Sequence, residues 1–91
     1  MQEMTLDGLT RSFGSHWAQQ AEWVGVLVEL PGQDTPEVII NKAEAFQAKL
    51  AYYQGTYNQD LTHKYSPGVK IIGWAFGSNW DEVYEELPMA I

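Results

Sequence analysis

A run of alternating apolar residues occupies positions 23–30, with the sequence Trp23-Val24-Gly25-Val26-Leu27-Val28-Glu29-Leu30. Alternation with a period of two is typical of a β-strand, because successive side chains point to opposite faces of a sheet. Val24, Val26 and Val28 would therefore share one face. Pro31-Gly32 follows directly and predicts that the strand ends there. We expect the sheet to be built around this strand.

Two further strands are predicted, at residues 37–40 and 69–76. The connection between the first two strands is short, which favours an antiparallel hairpin. The third strand is apolar on both faces, so we expect it to be covered on both sides. One of its faces would carry Ile72, Trp74 and Phe76, and the other Val69, Ile71 and Ala75. The first strand would lie in the centre, antiparallel to both neighbours.

Helical periodicity predicts a first helix at residues 5–20 and a second that begins at Asn41. Thr5 is the expected N-cap of the first helix. Asn41 would cap the second, with Glu44 at the N3 position of a capping box. The apolar stripes comprise Leu6, Leu9, Phe13 and Trp17 in the first helix and Phe46, Leu50, Tyr53 and Tyr57 in the second. Residues 58–68 are interpreted as a polar loop.

A short last helix is predicted after Gly77, with Ser78 as its cap and Asp81 at N3. Its inward stripe would be Trp80, Val83, Tyr84 and Leu87. The resulting fold class is α+β, a small mixed three-stranded sheet packed with helices in the order α-β-β-α-β-α. A chain of 91 residues suits one such domain, covering residues 1–91.

Cysteine is absent from the chain, which excludes disulfides, thiolate metal sites and cysteine nucleophiles. A small secreted domain would often use disulfide staples, so the composition favours the reducing cytoplasm of a host cell. No apolar run is long enough to cross a membrane. Residues 1–4 lack the basic and apolar regions of a signal peptide, so none is expected.

The net charge of −7 arises from 12 acidic against 5 basic residues. Nucleic-acid binding requires clustered lysine and arginine, whereas the basic residues here are scattered. They are Arg11, Lys42, Lys49, Lys64 and Lys70. An anionic membrane surface is disfavoured for the same reason. We expect a protein partner with a basic surface, and neither nucleic acid nor membrane.

Catalytic groups are few. His16 and His63 are the only histidines, and Asp60 precedes His63 by three residues, a spacing that permits an orienting pair. A structural role in a solvated loop is the favoured alternative for His63. The anion-binding potential of Gly77-Ser78-Asn79 is opposed by the acids that follow. No zinc or calcium pattern is present. We therefore expect a protein that is not an enzyme, with no cofactor and no metal.

The acids of the last helix are the most informative feature. Asp81, Glu82, Glu85 and Glu86 place four carboxylates within six residues, and no lysine or arginine follows residue 70. A solubilising face is one interpretation. The other is attraction to a basic surface, such as the nucleic-acid channel of a nuclease. Candidate secondary contacts are Asp34 and Glu37 at the hairpin turn, with Tyr52, Tyr57 and Tyr65 as aromatic contacts.

Three segments carry a resemblance: Glu37-Val38-Ile39-Ile40-Asn41, Ala51-Tyr52-Tyr53 and Lys70-Ile71-Ile72-Gly73. Over residues 4–85 the chain resembles small accessory proteins of phages and mobile elements of Gram-positive bacteria. Several such acidic proteins are anti-CRISPR or antirestriction factors, which bind a host nuclease and block its nucleic-acid or guide site. The resemblance implies an inhibitor of a CRISPR-associated nuclease, and it transfers no functional residue.

Two other functions remain open. The chain could be a small phage structural or assembly protein, or an oligomerising adaptor, with its surplus apolar and aromatic surface buried between copies. Alternatively it could be an enzyme that uses His63 and Asp60. The sequence is compatible with a monomer or a small homo-oligomer.

Overall fold

The computed structural model describes residues 4–15 and 20–87. Their elements are α1 (Leu6–Gly14), β1 (Trp23–Glu29), β2 (Glu37–Lys42), a 3₁₀ turn (Ala43–Ala45), α2 (Phe46–Thr56), β3 (Lys70–Gly77) and α3 (Trp80–Glu86). This is the predicted order, α-β-β-α-β-α, and the predicted α+β class is confirmed.

The sheet has three strands in the order β2-β1-β3, and β1 is antiparallel to both neighbours, as predicted. Residues 24–28 of β1 are all buried. A strand that is apolar on both faces gains most in the centre, where both faces are covered and both edges are paired.

The pairing of β1 with β3 contains a bulge. Leu27 pairs with Gly73 but Val28 pairs with Ile71, so Ile72 is an extra residue. Ile71 consequently lies in the main core with Trp74, while Ile72 packs against the opposite cluster around Leu27. The prediction that Ile72 shares a face with Trp74 is therefore wrong. Strict alternation cannot reveal an inserted residue, which reverses every side chain on one side of it.

The main core lies on the sheet face covered by α1 and α2. The ring of Phe13 packs edge-on against Phe46, Phe76 and Tyr53, with centroids 5.7, 5.3 and 6.3 Å away. Trp74 donates a hydrogen bond from Nε1 to Oγ of Ser12 at 3.0 Å. Aromatic pairs of this geometry contribute about 0.5–1.5 kcal/mol beyond their buried area, so a few rings stabilise a small core.

The first helix begins where predicted but is shorter. Thr5 is its N-cap, and its Oγ1 accepts a hydrogen bond from the amide of Gly8 at 3.0 Å. The helix ends at Gly14 rather than at residue 20. The predicted positions of His16 and Trp17 lie outside the described residues.

The predicted cap of the second helix is wrong. Asn41 pairs with Val24 within β2, which continues to Lys42. A 3₁₀ turn follows, and α2 begins at Phe46 with no side-chain cap. The main chain of Asn41 is thus used in the ladder that covers the edge of β1, and this pairing takes precedence over the local capping preference of asparagine.

Residues 58–68 form an ordered cover rather than a purely polar loop. Leu61 is fully buried in the main core, and its carbonyl accepts a hydrogen bond from the amide of Ile71 at 3.0 Å. Thr62 forms a bridge with Lys70, so this loop pairs with the outer edge of β3. Leu61 adopts φ of 69°, a left-handed conformation that non-glycine residues rarely take.

The α3 helix covers the second face of the sheet. Val83 is fully buried, and Leu87 packs against Leu27 and Ala75. The helix approaches closely over Gly25, where a Cβ would lie only 2.5 Å from Cγ1 of Val83. At Gly77 a Cβ would lie 2.9 Å from Oε1 of Glu82. The absence of side chains at these two positions therefore sets how near α3 lies to the sheet.

We predict that Gly25→Ala lowers the free energy of unfolding by about 1–3 kcal/mol, because the added methyl group overpacks the contact with Val83. The matched control is Gly55→Ala in α2, where an added Cβ meets no atom within 4 Å. Removing a glycine from an open helical position should stabilise the protein by about 0.4–1 kcal/mol. Urea unfolding of both variants measures the two effects, and equal shifts would contradict the close seat of α3.

Candidate functional site

The first turn of α3 is held by a reciprocal set of hydrogen bonds. Oδ1 of Asn79 accepts from the amide of Glu82 at 2.8 Å, so Asn79 is the N-cap and the predicted cap Ser78 is wrong. Oε1 of Glu82 in turn accepts from the amide of Ser78 at 3.1 Å. This resembles a capping box in which the carboxylate reaches one residue further back. Glu82 sits at N3, the position predicted for Asp81, and its carboxylate is committed to starting the helix.

All four acids of the last helix are exposed, as the sequence predicted. The side chains of three of them take no part in the capping bonds of the first turn: Asp81, Glu85 and Glu86. The last turn of α3 contains no basic residue. Two lysines elsewhere lie over aromatic rings: Lys42 over Trp23, and Lys49 over Tyr52.

The aromatic residues of α3 do not point inward. Trp80 is 46% exposed and Tyr84 is 39% exposed. Their rings stack on each other, with centroids 5.0 Å apart and planes inclined by 12°. The prediction of an inward stripe was therefore right for Val83 and Leu87 and wrong for the two rings. This short helix packs closely over Gly25 and Gly77, so only the narrow row of Val83 and Leu87 contacts the sheet.

Aromatic and acidic rows consequently adjoin on the outside of this helix. Side chains four residues apart form a row along a helix, and the next residues form the neighbouring row. Trp80 and Tyr84 make one row, beside Asp81 and Glu85. We use the term α3 surface for Trp80, Asp81, Tyr84, Glu85 and Glu86.

The predicted secondary contacts do not join the α3 surface. Glu37 pairs with Val28, whose side chain lies in the main core, so Glu37 points to the opposite face of the sheet from α3. Tyr52 projects from α2 on that same side and is 49% exposed. Asp34 is exposed in the hairpin turn.

Tyr57 is not an exposed aromatic contact, contrary to the prediction. Only 4% of it is exposed, and its ring packs against Tyr53 and His63. Burial, with smaller contributions from Tyr52 and Glu37, raises the pKa of the Tyr57 hydroxyl. Tyr65 is 75% exposed and remains available as a contact in the loop that precedes β3.

Asp60 and His63 bond to their own loop rather than to each other. Nδ1 of His63 accepts from the amides of Tyr65 and Ser66, each at 3.0 Å. Oδ1 of Asp60 accepts from the hydroxyl and the amide of Thr62, at 2.5 and 3.1 Å. These bonds fix the local shape of the loop, and they leave no Asp–His pair of the kind that orients a general base.

A shallow depression of about 180 Å³ adjoins the start of α3 and is lined by Gln20, Ala21, Gly77, Ser78 and Glu82. The carboxylate of Glu82, which lines this depression, is already bonded to Ser78.

Within residues 4–15 and 20–87, His, Asp and Glu side chains form no group of three or more that could hold a metal ion. None of the helices in those ranges is both long and apolar enough to cross a bilayer.

Comparisons of the chain with models of protein families, with curated proteins and with solved structures find no match. The geometry of the α3 surface is therefore the starting point for a functional proposal.

The loop hydrogen bonds predict a measurable pH effect. The Thr62 hydroxyl, followed by the Thr62 amide, holds the pKa of the Asp60 carboxyl below its ordinary value. A lowered folded-state pKa means that this carboxylate stabilises the loop above the unfolded pKa of about 3.9, and that the contribution is lost as the pH falls through the folded value.

We expect Thr62→Val to raise the Asp60 pKa toward its ordinary value, because the stronger donor is removed. Carboxyl-carbon NMR titration of the wild type and the variant measures the change in the Asp60 midpoint. An unchanged Asp60 midpoint would contradict the role of the Thr62 hydroxyl.

Proposed function

We propose that this chain is a non-enzymatic binding protein whose α3 surface docks on a basic surface of a partner protein. Within that class we propose an inhibitor from a phage or mobile element, of the anti-CRISPR type, acting in the host cytoplasm. Its partner would be a CRISPR-associated nuclease, and its acids would occupy part of the nucleic-acid site. The observation that carries the proposal is the outward row of carboxylates beside two exposed, stacked rings.

The placement of the acids is costly for the helix itself. Asp81 and Glu85 are like charges four residues apart, as are Glu82 and Glu86, and each such pair destabilises a helix by about 0.2–0.5 kcal/mol. Glu85 and Glu86 also lie at the negative end of the helix dipole, where cations are favoured. Solubility alone does not require this arrangement, since acids spread elsewhere on the surface would serve equally well. A binding role accounts for their concentration on α3.

The proposed contact has two physical parts. A uniformly negative face accelerates encounter with a basic partner, by about 10–1,000-fold at low ionic strength in well-steered pairs. Aromatic side chains then supply contact area, and tryptophan and tyrosine are enriched among the residues that dominate interface energies. The seat of α3 on Gly25 and Gly77 holds both parts in fixed relation to the sheet.

We expect Glu85→Lys combined with Glu86→Lys to reduce the association rate at least ~10-fold at low salt and to flatten its salt dependence. The two lysines would lie at the C-terminal end of α3, where cations favour the helix, so the variant should fold at least as stably as the wild type. Glu82 is left intact because it caps the helix. The measurement is binding to a purified CRISPR-associated nuclease over a range of salt concentrations.

The matched control is Asp34→Lys combined with Glu37→Lys. It changes the net charge by the same amount at exposed positions away from α3. The control should retain most of the association rate, because only total charge has changed. Equal loss in both variants would show that net charge, rather than the α3 surface, controls binding.

A second candidate function, self-assembly, is favoured by β2. In the described part of the chain this strand pairs with β1 alone, and Val38, Ile39 and Ile40 are only half-buried. An open strand edge is a template for pairing with another chain, although the charges of Glu37 and Lys42 at its ends disfavour it.

Sedimentation velocity at micromolar concentration separates the two candidates. We expect a monomer, because two copies would each bring a charge of −7 to a shared interface. A stable dimer or larger species that Ile40→Lys dissociates would instead support assembly through β2.

A further inference from the structure

We infer that the group bound by the α3 surface is an arginine side chain, presented by a basic protein segment, rather than a lysine. This inference rests on the proposed function and assigns the chemistry of the partner's contact residue. The guanidinium would lie against the stacked rings of Trp80 and Tyr84, with the carboxylates of Asp81 and Glu85 as its hydrogen-bond acceptors.

The rings of Trp80 and Tyr84 are both exposed. Together they leave a large apolar area in contact with water on the outside of a helix, although α3 has a sheet beneath it. Mutual stacking of two rings contributes about 0.5–1.5 kcal/mol beyond the area it buries. Support of the helix is a modest return for two exposed rings in one place, and a contact surface accounts for them better.

Stacking also fixes the orientation of the two rings. Because Trp80 and Tyr84 are nearly parallel, each holds the other in one orientation before any partner arrives. Fixing a flexible side chain at an interface costs about 0.5–1.5 kcal/mol. A stacked pair has already lost most of that freedom, so the aromatic row is prepared to receive a flat group.

The carboxylates of Asp81 and Glu85 lie beside the rings, and their charge determines which kind of group can bind there. A flat apolar segment would gain from the rings but would have to desolvate Asp81 and Glu85, which lie in the adjoining row. A cation gains from both rows. Charge complementarity therefore selects a cationic occupant over a neutral one.

Arginine fits both rows better than lysine. Its guanidinium is planar, stacks on aromatic faces and is weakly hydrated, and its donors match a carboxylate in a two-bond geometry. The ammonium of lysine is compact and strongly hydrated, so it gains from the carboxylates but less from a ring face. The matched rows on α3 thus predict selectivity and not merely attraction to positive charge.

The test uses the full chain and two short glycine-serine peptides, one with spaced arginines and one with a lysine in place of each arginine. Binding is followed by NMR through the backbone amide signals of Asp81 and Glu85, which every variant retains. We expect the arginine peptide to bind ~10-fold more tightly than the lysine peptide. We also expect Trp80→Leu combined with Tyr84→Leu to abolish that difference while leaving lysine-peptide binding nearly unchanged.

The control variant is Tyr52→Leu, which removes a comparably exposed ring on the opposite side of the sheet and should leave the selectivity intact. Equal affinity for the two peptides, with salt dependence retained, would overturn the arginine inference but not the proposed attraction to basic surfaces. Failure of both peptides to bind at low salt would contradict the proposed function as well.

Discussion

The close approach of α3 to the sheet is the contact on which the proposed surface depends. Val83 and Leu87 reach the second face of the sheet because Gly25 and Gly77 place no side chains beneath them. That contact buries one side of a seven-residue helix, which would not be stable alone. It also determines which residues of α3 face outward, because contact of the row Val83 and Leu87 with the sheet fixes the rotation of the helix about its axis.

The two faces of the sheet have different roles. The face under α1 and α2 holds most of the core, including the ring cluster around Phe13 and the buried loop residue Leu61. The second face carries a smaller cluster around Leu27, with α3 upon it. Most of the core thus lies on one side, whereas the other side carries α3 with its four exposed acids and its two stacked, exposed rings. A small domain with this division can expose an unfavourable row of like charges without endangering its core.

Sequence patterns predicted the parts of this fold that depend on local repetition. The alternation in β1, the short connection to β2 and the cap at Thr5 each have a local physical cause, and each is confirmed. The bulge at Ile72 was not predictable, because an inserted residue leaves no local mark in an apolar run. Asn41 has good capping chemistry, but its pairing with Val24 is a contact between distant parts of the chain.

The candidate site was only partly predictable for the same reason. Acids at adjacent helical positions had to lie outside, and they do. The outward orientation of Trp80 and Tyr84 depends on how few positions of α3 contact the sheet. Helical periodicity in the sequence does not indicate that number. The commitment of Glu82 to Ser78 likewise depends on the cap at Asn79. Tertiary geometry therefore changed a purely anionic face into an aromatic and anionic one.

The most direct measurement of this surface is site-specific photo-crosslinking to a purified CRISPR-associated nuclease. A benzophenone-bearing phenylalanine analogue is placed at Tyr84 in one variant and at the more exposed Tyr65 in another. If α3 is the contact surface, crosslinks form from position 84, disappear at high salt and are weak or absent from position 65. Crosslinks from position 65 with none from position 84 would contradict the assignment of α3 as the binding surface.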